Sequence, residues 1–231
     1  MGKMFTYQGK RMVTWNVQTG CLNDCYNGGC WAKRLIETRL KDTPKYKECG
    51  FKPTFHPSEL NKSFKKNDWV FISSMGDISF ASKGNRMDIF TRICNNRETN
   101  FLFCTKNPAI YKEFPYFENV YYGATIETNR DTSKFSKAPS PELRYNAMKE
   151  LPANYKRFLS IEPIMDFDRA EFLKWVLDIE PQIVEIGADN YKSGLIEPDA
   201  NKVKGLIESM EQNEIEVIQK DGLNRLLDLK V

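Results

Sequence analysis

Trp69-Val70-Phe71-Ile72-Ser73-Ser74-Met75-Gly76-Asp77 is a short apolar run that stops in small and acidic residues, the pattern of a buried strand feeding a loop. The pattern recurs along the chain. Asn100 to Thr105, Val120 to Ile126 ending at Glu127, Arg157 to Ile161 ending at Glu162-Pro163, and Gln182 to Gly187 ending at Ala188-Asp189-Asn190 are all rich in apolar residues. Helix-forming stretches separate them: Asn85 to Asn95, Pro108 to Phe114, Pro141 to about Leu151, and Arg169 to Asp178. Pro108 stands at a first helical position, where the N–H it lacks has no intrahelical partner. Asp168 and Asp199 are placed to cap the helices Arg169–Asp178 and Ala200–Glu211. Upstream, Met12 to Thr19 puts Val13, Trp15 and Val17 on one side and reads as a first strand, with Trp31 to Leu40 as its helix. Glu214 to Gln219 reads as a last strand before a short terminal helix.

Strands that are apolar throughout belong to a parallel sheet covered on both faces by crossover helices. Six or seven strand–helix alternations therefore predict an α/β fold, a partial TIM-type (β/α)6 barrel with parallel strands. Polar residues gather where strands end: Ser74, Asp77, Thr105, Lys106, Glu127, Ser160, Glu162 and Asp189. In barrel-like folds that rim binds ligands. A doubly wound sheet also binds ligands at strand ends, but its Gly-x-Gly-x-x-Gly turn is missing after the first strand, and no Gly-x-x-x-x-Gly-Lys occurs. One domain over residues 1–231 is expected, with an irregular insertion at about 41–67 that carries Pro44, Pro53 and Pro57 and a short helix near Ser58–Phe64.

With 41% hydrophobic and 28% charged residues, the composition is that of a globular protein. The longest apolar runs are a few residues, too short for a membrane span. Met-Gly-Lys-Met-Phe at the start lacks the apolar core of a secretory signal, and six cysteines in 231 residues are too sparse for a disulfide scaffold. A reducing, cytoplasmic setting is expected. The net charge of +3 is uneven: ten Lys/Arg against five Asp/Glu fall between Ala32 and Asp68. That basic segment reads either as a solvated face or as a phosphate-binding one. Its aromatics Tyr46, Phe51, Phe55 and Phe64 read either as anchors to the core or as stacking surfaces for nucleic acid.

The first strand leads into Thr14-Trp15-Asn16-Val17-Gln18-Thr19-Gly20-Cys21-Leu22-Asn23-Asp24-Cys25-Tyr26-Asn27-Gly28-Gly29-Cys30-Trp31-Ala32. Cys21, Cys25 and Cys30 fall within ten residues, spaced Cys-x3-Cys-x4-Cys, and thiolates so close can converge on one inorganic centre. Structural zinc wants four ligands, and Cys49 as a fourth keeps zinc open. An iron–sulfur cluster held by three cysteines leaves one iron free to bind a small molecule. Cys49 and His56 have no partner at metal-ligand spacing and read as structural; Cys94 and Cys104, set among Ile and Phe, read as small hydrophobes.

The cysteine loop resembles the cluster motif of the radical S-adenosylmethionine (SAM) superfamily, Cys-x3-Cys-x2-Cys with an aromatic before the last cysteine. More closely, the chain resembles an uncharacterised family of radical-SAM-like proteins found in phages and prophages. The matching segments are Thr14-Trp15-Asn16 with Thr19-Gly20-Cys21, Cys30-Trp31-Ala32, Ser74-Met75-Gly76-Asp77, Thr105-Lys106, Gly123-Ala124-Thr125-Ile126-Glu127 and Leu159-Ser160-Ile161-Glu162-Pro163. They run in order over about residues 12–190. Two departures stand out: the last gap is x4, with Gly28 where a third cysteine would sit, and the aromatic Trp31 follows Cys30. Gly28-Gly29 would let the longer loop fold back, since glycine permits positive φ.

The resemblance implies a [4Fe–4S] cluster on Cys21, Cys25 and Cys30 and S-adenosyl-L-methionine chelated at the open iron. It places Ser74, Met75, Gly76 and Asp77 near the SAM amino group, Glu127 at the ribose, and Ile161 with its neighbours Ser160 and Glu162 at the adenine. Thr105, Lys106 and Asp189 join the cofactor-binding rim, Lys106 toward the SAM carboxylate, a substrate phosphate or a salt bridge. The implied reaction is reductive SAM cleavage to a 5′-deoxyadenosyl radical, with flavodoxin or ferredoxin as electron donor and a nucleic acid or nucleotide as substrate. Two other readings stay open: a non-catalytic iron–sulfur or zinc module that binds nucleic acid, and a zinc hydrolase, disfavoured by the lack of histidines.

Overall fold

The computed structural model describes residues 6–7 and 10–227. Seven strands form its main sheet: β1 Val13–Trp15, β2 Trp69–Ile72, β3 Asn100–Thr105, β4 Val120–Thr125, β5 Lys156–Ile161, β6 Ile183–Ile186 and β7 Glu216–Gln219. They lie side by side in chain order, every neighbouring pair parallel, with no pairing between β1 and β7. A parallel sheet wound in one direction curls, and here it makes a partial TIM-type barrel with one more strand than the predicted six.

Side chains alternate across each strand with period two. Val70, Ile72, Phe101, Phe103, Leu159, Ile161, Val184 and Ile186 enter the main core on the convex side. Phe71, Leu102, Cys104, Phe158, Ser160 and Glu185 instead line the concave side. Both faces are covered, so the strands carry little of the polar alternation of a half-exposed sheet.

The convex face is covered by α2 Lys83–Cys94, α3 Pro141–Lys149, α4 Arg169–Ile179 and α5 Ala200–Gln212, while α1 Trp31–Glu37 follows the cysteine loop. Ser82, Ser140 and Asp199 cap their helices by accepting from the N–H of Asn85 (3.2 Å), Leu143 (3.3 Å) and Lys202 (2.9 Å). Asp168 precedes α4 but makes no side-chain cap, a correction to its expected role. Its carboxylate is taken by Arg130, whose Nη2 lies 2.7 Å from Oδ1. The Pro108 segment closes as a 3-10 turn over Pro108–Glu113 rather than a helix through Phe114.

Met12 to Thr19 is not one strand. The chain leaves the sheet after Trp15, and Gln18–Thr19 pairs antiparallel with Thr54–Phe55 of the 41–67 insertion. Asn16 sits at the break, its side-chain oxygen accepting from Ser74 Oγ and Met75 N at 3.0 Å each. The insertion itself holds a 3-10 turn at Pro57–Asn61, shorter than the expected helix near Ser58–Phe64. Its aromatics resolve the two readings given above. Tyr46 is buried, Phe55 and Phe64 pack on the main core, and Phe64 meets Trp15 at 5.2 Å and Phe101 at 5.5 Å between ring centroids. These three anchor the insertion; only Phe51 of the four lines the cavity. Two of its lysines are also engaged, Lys45 by Glu59 and Lys62 by the Thr14 carbonyl at 2.6 Å. Among the described residues no helix is long and apolar enough to cross a membrane.

The contrast between the two aspartates is measurable. Asp199→Ala is expected to lower stability by about 1 kcal/mol in urea denaturation, the worth of an N-cap. Asp168→Ala, which removes an exposed ion pair, is expected to leave the urea midpoint close to that of wild type. Equal losses would contradict the capping assignment.

Candidate active site

The cysteine loop leaves the sheet at Gly20, which makes an isolated parallel bridge with Gly76 after β2. Gly20 N donates to Met75 O (3.0 Å) and Asp77 N to Gly20 O (3.2 Å). Both positions require glycine, for different neighbours: a Cβ on Gly76 would fall 2.6 Å from Gly20 N across the bridge, and one on Gly20 (φ 73°) 2.2 Å from Lys52 O of the insertion. Further bonds fix the loop from outside, Cys21 N to Phe51 O (3.2 Å) and Lys137 N to Asn23 O (2.7 Å). The two extra residues of the x4 gap are absorbed by a 3-10 turn over Cys25–Gly28. Gly28 takes φ 87°, as its expected freedom requires, whereas Gly29 does not, at φ −74°.

Cys21, Cys25 and Cys30 together line both the main cavity, about 490 Å³, and a smaller hollow of about 220 Å³ on the outer side. Burial, chiefly, pushes the Cys21 and Cys30 thiols above their ordinary range; Asp77 adds to the rise at Cys21. The α1 N–H groups of Lys33 and Ala32 and the Lys106 ammonium act the other way on Cys30, favouring its thiolate. Among the described residues no three His, Cys, Asp or Glu side chains close on a single ion. The two remaining candidates for a zinc ligand are occupied: Cys49 Sγ donates to Lys45 O (3.3 Å), and His56 Nε2 meets Thr19 Oγ1 (2.7 Å). Three soft thiolates spread around one space suit a polynuclear iron–sulfur centre better than a four-donor zinc site.

Beneath the loop the strand-end polar residues are tied to one another. Asp77 accepts from Thr105 Oγ1 (2.5 Å), Lys106 N (3.0 Å), Ser79 N (2.9 Å) and Asn23 Nδ2 (3.3 Å), joining the loops that follow β1, β2 and β3. Glu127, wholly buried, receives Arg144 Nη1 at 2.6 Å and Lys106 Nζ at 2.8 Å. Burial raises its carboxyl, but Arg144 and then Lys106 outweigh that and hold it at about 2. Tyr26, from the cysteine loop itself, hydrogen-bonds Lys106 and directs its hydroxyl to Glu127.

These contacts sort the predicted residues. Cys21, Cys25, Cys30, Ser74, Gly76, Asp77, Thr105, Lys106, Ser160, Glu162 and Asp189 all line the cavity. Three expectations are corrected. Glu127 is enclosed by Arg144, Lys106 and Tyr26 and is not among the residues that line the cavity. Ile161 points to the convex core because Ser160 takes the concave side; Phe158 is the apolar group of β5 in the cavity. Met75 packs under α1 with Ala32, Ile36 and Tyr46 and offers only backbone to the rim. Asp189 turns its carboxylate onto its own loop, accepting from Tyr191 N (3.1 Å) and Ser193 N (2.5 Å). That loop reaches back to α1, where the Arg34 guanidinium lies 5.1 Å from the Tyr191 ring centroid.

Sequence reasoning missed Tyr26, Arg144, Glu185 and Lys220, and read Cys104 as a plain core residue although it lines the cavity. Cys104 could have been found by counting: it is two residues from Leu102 and one from Thr105, on the inward register of β3. Arg144 carries no such signal, being one arginine of an ordinary amphipathic helix.

The Glu127 network has a pH signature. A carboxyl held near 2, against an ordinary 4.5, stabilises the fold above its unfolded pKa, and that stability is lost as pH falls from about 5 toward 2. Thermal melts of the Glu127→Gln variant should be lowered at pH 7, and the gap to wild type should shrink steadily as pH falls from about 5 toward 2. Arg144→Met, which leaves a buried carboxylate with one partner fewer, is expected to cost about 3–5 kcal/mol. A wild-type-like melt for Arg144→Met would remove the network from the account of stability.

The fold is similar to that of solved structures of spore photoproduct lyase. A cysteine-to-alanine mutant of that enzyme with dinucleoside spore photoproduct aligns with a TM-score of 0.61 at 11% identity, covering 89% of this chain and 75% of that one. A tyrosine-to-phenylalanine mutant gives the same TM-score and identity, and another structure of the cysteine mutant gives 0.61 at 13%, with the same coverage. No curated protein matches the sequence. Residues 10–178, most of the chain, match a single family model, and the chain belongs to that family, described as protein of unknown function, DUF5131.

Proposed function

We propose that the chain is a radical SAM-type enzyme acting on nucleic acid or a nucleotide. The observation that carries this reading is the convergence of Cys21, Cys25 and Cys30 on one cavity at the strand-end rim of a parallel partial barrel. The likeness of fold to spore photoproduct lyase, a radical SAM enzyme, supports it. The three cysteines would hold a [4Fe–4S] cluster with one iron open to the amino and carboxylate groups of SAM. A reduced cluster held there would supply the one-electron chemistry for reductive cleavage of SAM to methionine and a 5′-deoxyadenosyl radical, which would take hydrogen from the substrate.

The chain's own residues do the rest. Asp77 and Asn23 fix the loop behind Cys21 and Cys25, and Ser74 and the backbone carbonyls around Gly76, at the cavity rim, would receive the amino group. Lys106 and Arg144 balance the buried Glu127 and Asp77 carboxylates, and the Lys106 ammonium acts on Cys30 in favour of its thiolate. Phe71, Leu102 and Phe158 form an apolar wall that excludes water from a reactive intermediate. Nucleic acid is proposed as substrate because the lyase of similar fold is solved with a dinucleoside photoproduct. One such domain over residues 1–231, working in the cytoplasm with flavodoxin or ferredoxin as donor, completes the proposal.

Anaerobic reconstitution with iron and sulfide tests cofactor and reaction class together. Wild type is expected to turn brown and, when reduced with SAM, to release 5′-deoxyadenosine; Cys30→Ala should do neither. Colourless protein carrying stoichiometric zinc would overturn the proposal. Brown protein that never consumes SAM would replace it with a non-catalytic iron–sulfur binding module.

A further inference from the structure

The end of the cavity formed by β5, β6 and β7 is built by three charged side chains that the cysteine loop does not use. Glu185 projects inward from β6, Glu162 follows β5 and Lys220 follows β7, and all three line the cavity. Lys220 Nζ lies 2.9 Å from Glu185 Oε1 and 3.1 Å from Glu162 Oε2. Space for Glu162 is provided by Gly187, where a Cβ would come within 2.8 Å of the carboxylate. Only 11% of the Glu185 side chain and 16% of the Lys220 side chain are exposed. Two carboxylates against one ammonium leave a surplus of acceptor lone pairs in a half-closed, largely apolar space. That surplus is costly to desolvate unless a proton shared between Glu185 and Glu162, or a ligand, brings a donor to it. Phe158 and Phe71 supply apolar ring surface in the same cavity.

We propose that Glu185, Glu162 and Lys220 form the recognition site for an amino-bearing nucleobase, guanine foremost, whose N–H donors meet the carboxylates while its ring lies against Phe158 and Phe71. The inference rests on the nucleic-acid reading above and names the base it takes. Guanine presents two adjacent donors, N1–H and the 2-amino group, beside the O6 acceptor, which complements two carboxylates and an ammonium. Thymine and uracil present one donor between two acceptors and leave a carboxylate unmatched. An enzyme working on one base of a strand reads it in this way, by the hydrogen-bonding edge and by packing on its face. The 6-amino group of the SAM adenine offers the same donor chemistry, so the test has an arm for each source.

Burial, chiefly, with Glu162 adding and Lys220 opposing, raises the Glu185 carboxyl to about 7. The two carboxylates keep Lys220 charged despite its burial. Cys104, which faces Glu185 from β3, is pushed by burial up to about 12 and stays a thiol near neutrality. Glu185 therefore gains its charge as pH rises through 7, and binding of an amino-bearing base strengthens from pH 6 to 8.

Isothermal titration of the full chain with guanosine 5′-monophosphate, inosine 5′-monophosphate and SAM decides the matter without turnover. Inosine lacks only the 2-amino group, so wild type should bind the guanosine nucleotide roughly 10- to 100-fold tighter, the worth of a hydrogen bond to a charged group. Glu185→Gln should abolish that preference and its rise with pH while leaving SAM affinity unchanged. Equal binding of the two nucleotides by wild type, a comparison that needs no variant to fold, would overturn the proposal. So would a Glu185→Gln variant that loses SAM and keeps the guanosine preference. A guanosine preference in protein that does not cleave SAM would sink the reaction class and leave this site standing.

Discussion

The Glu127 carboxylate, shut away from water, can remain charged only because Arg144 and Lys106 are held against it. Separately each of these groups would be expensive to bury, and an ion pair in the interior seldom repays its desolvation. The value of this one lies in what it connects. Arg144 comes from α3, Lys106 from the end of β3, Glu127 from the end of β4, and Tyr26 from the cysteine loop after β1. Four segments far apart in sequence are thereby brought to one point. A loop with three cysteines and positive φ at Asp24, Tyr26 and Gly28 has little regular structure of its own, and Tyr26 is its bolt into the barrel.

Two further clamps work in the same direction. Asn16 ends β1 by drawing the chain toward Ser74 and Met75, and Asp77 collects donors from Asn23, Ser79, Thr105 and Lys106. The loops after β1, β2 and β3 are thus tied together. A buried carboxylate with four donors is a fixed strut rather than a free base, so the acidic residue of Ser74–Asp77 acts on the cavity by shaping the backbone beside it.

The barrel was legible in the strands because burial on both faces writes itself as unbroken apolar runs, and Asn100–Thr105 needed no more than that. The rim was legible too, since a strand ends where polarity begins. Which face a residue takes was harder: Ile161 and Ser160 are neighbours, and only the sheet's curl decides that the serine looks inward. Asp168 and Asp199 look alike before their helices, yet an arginine in another loop takes the first away. Glu127 was recognisable as important but not as buried, because Arg144 is found seventeen residues on in a helix that gives no sign of it. Glu185 and Lys220 escaped notice for a related reason. Each is a single charge near a strand end, and their meaning comes from meeting Glu162.

The cavity is therefore polar in a directional sense. At one end stand three thiols, two of them held protonated chiefly by burial, with the Lys106 ammonium acting the other way on Cys30. At the other end Glu162 and Glu185 outnumber Lys220 and favour donors. Between them Phe71, Leu102 and Phe158 offer no polar group at all. A ligand that fills such a space must be amphiphilic along its length, with a charged or metal-binding head, an apolar middle and a donor-bearing tail. In the low dielectric of a half-closed barrel the two ends are weakly screened, so each raises the energetic penalty of binding the wrong way round. The excess of carboxylate at the Glu162 and Glu185 end thereby biases a ligand to place its donors there.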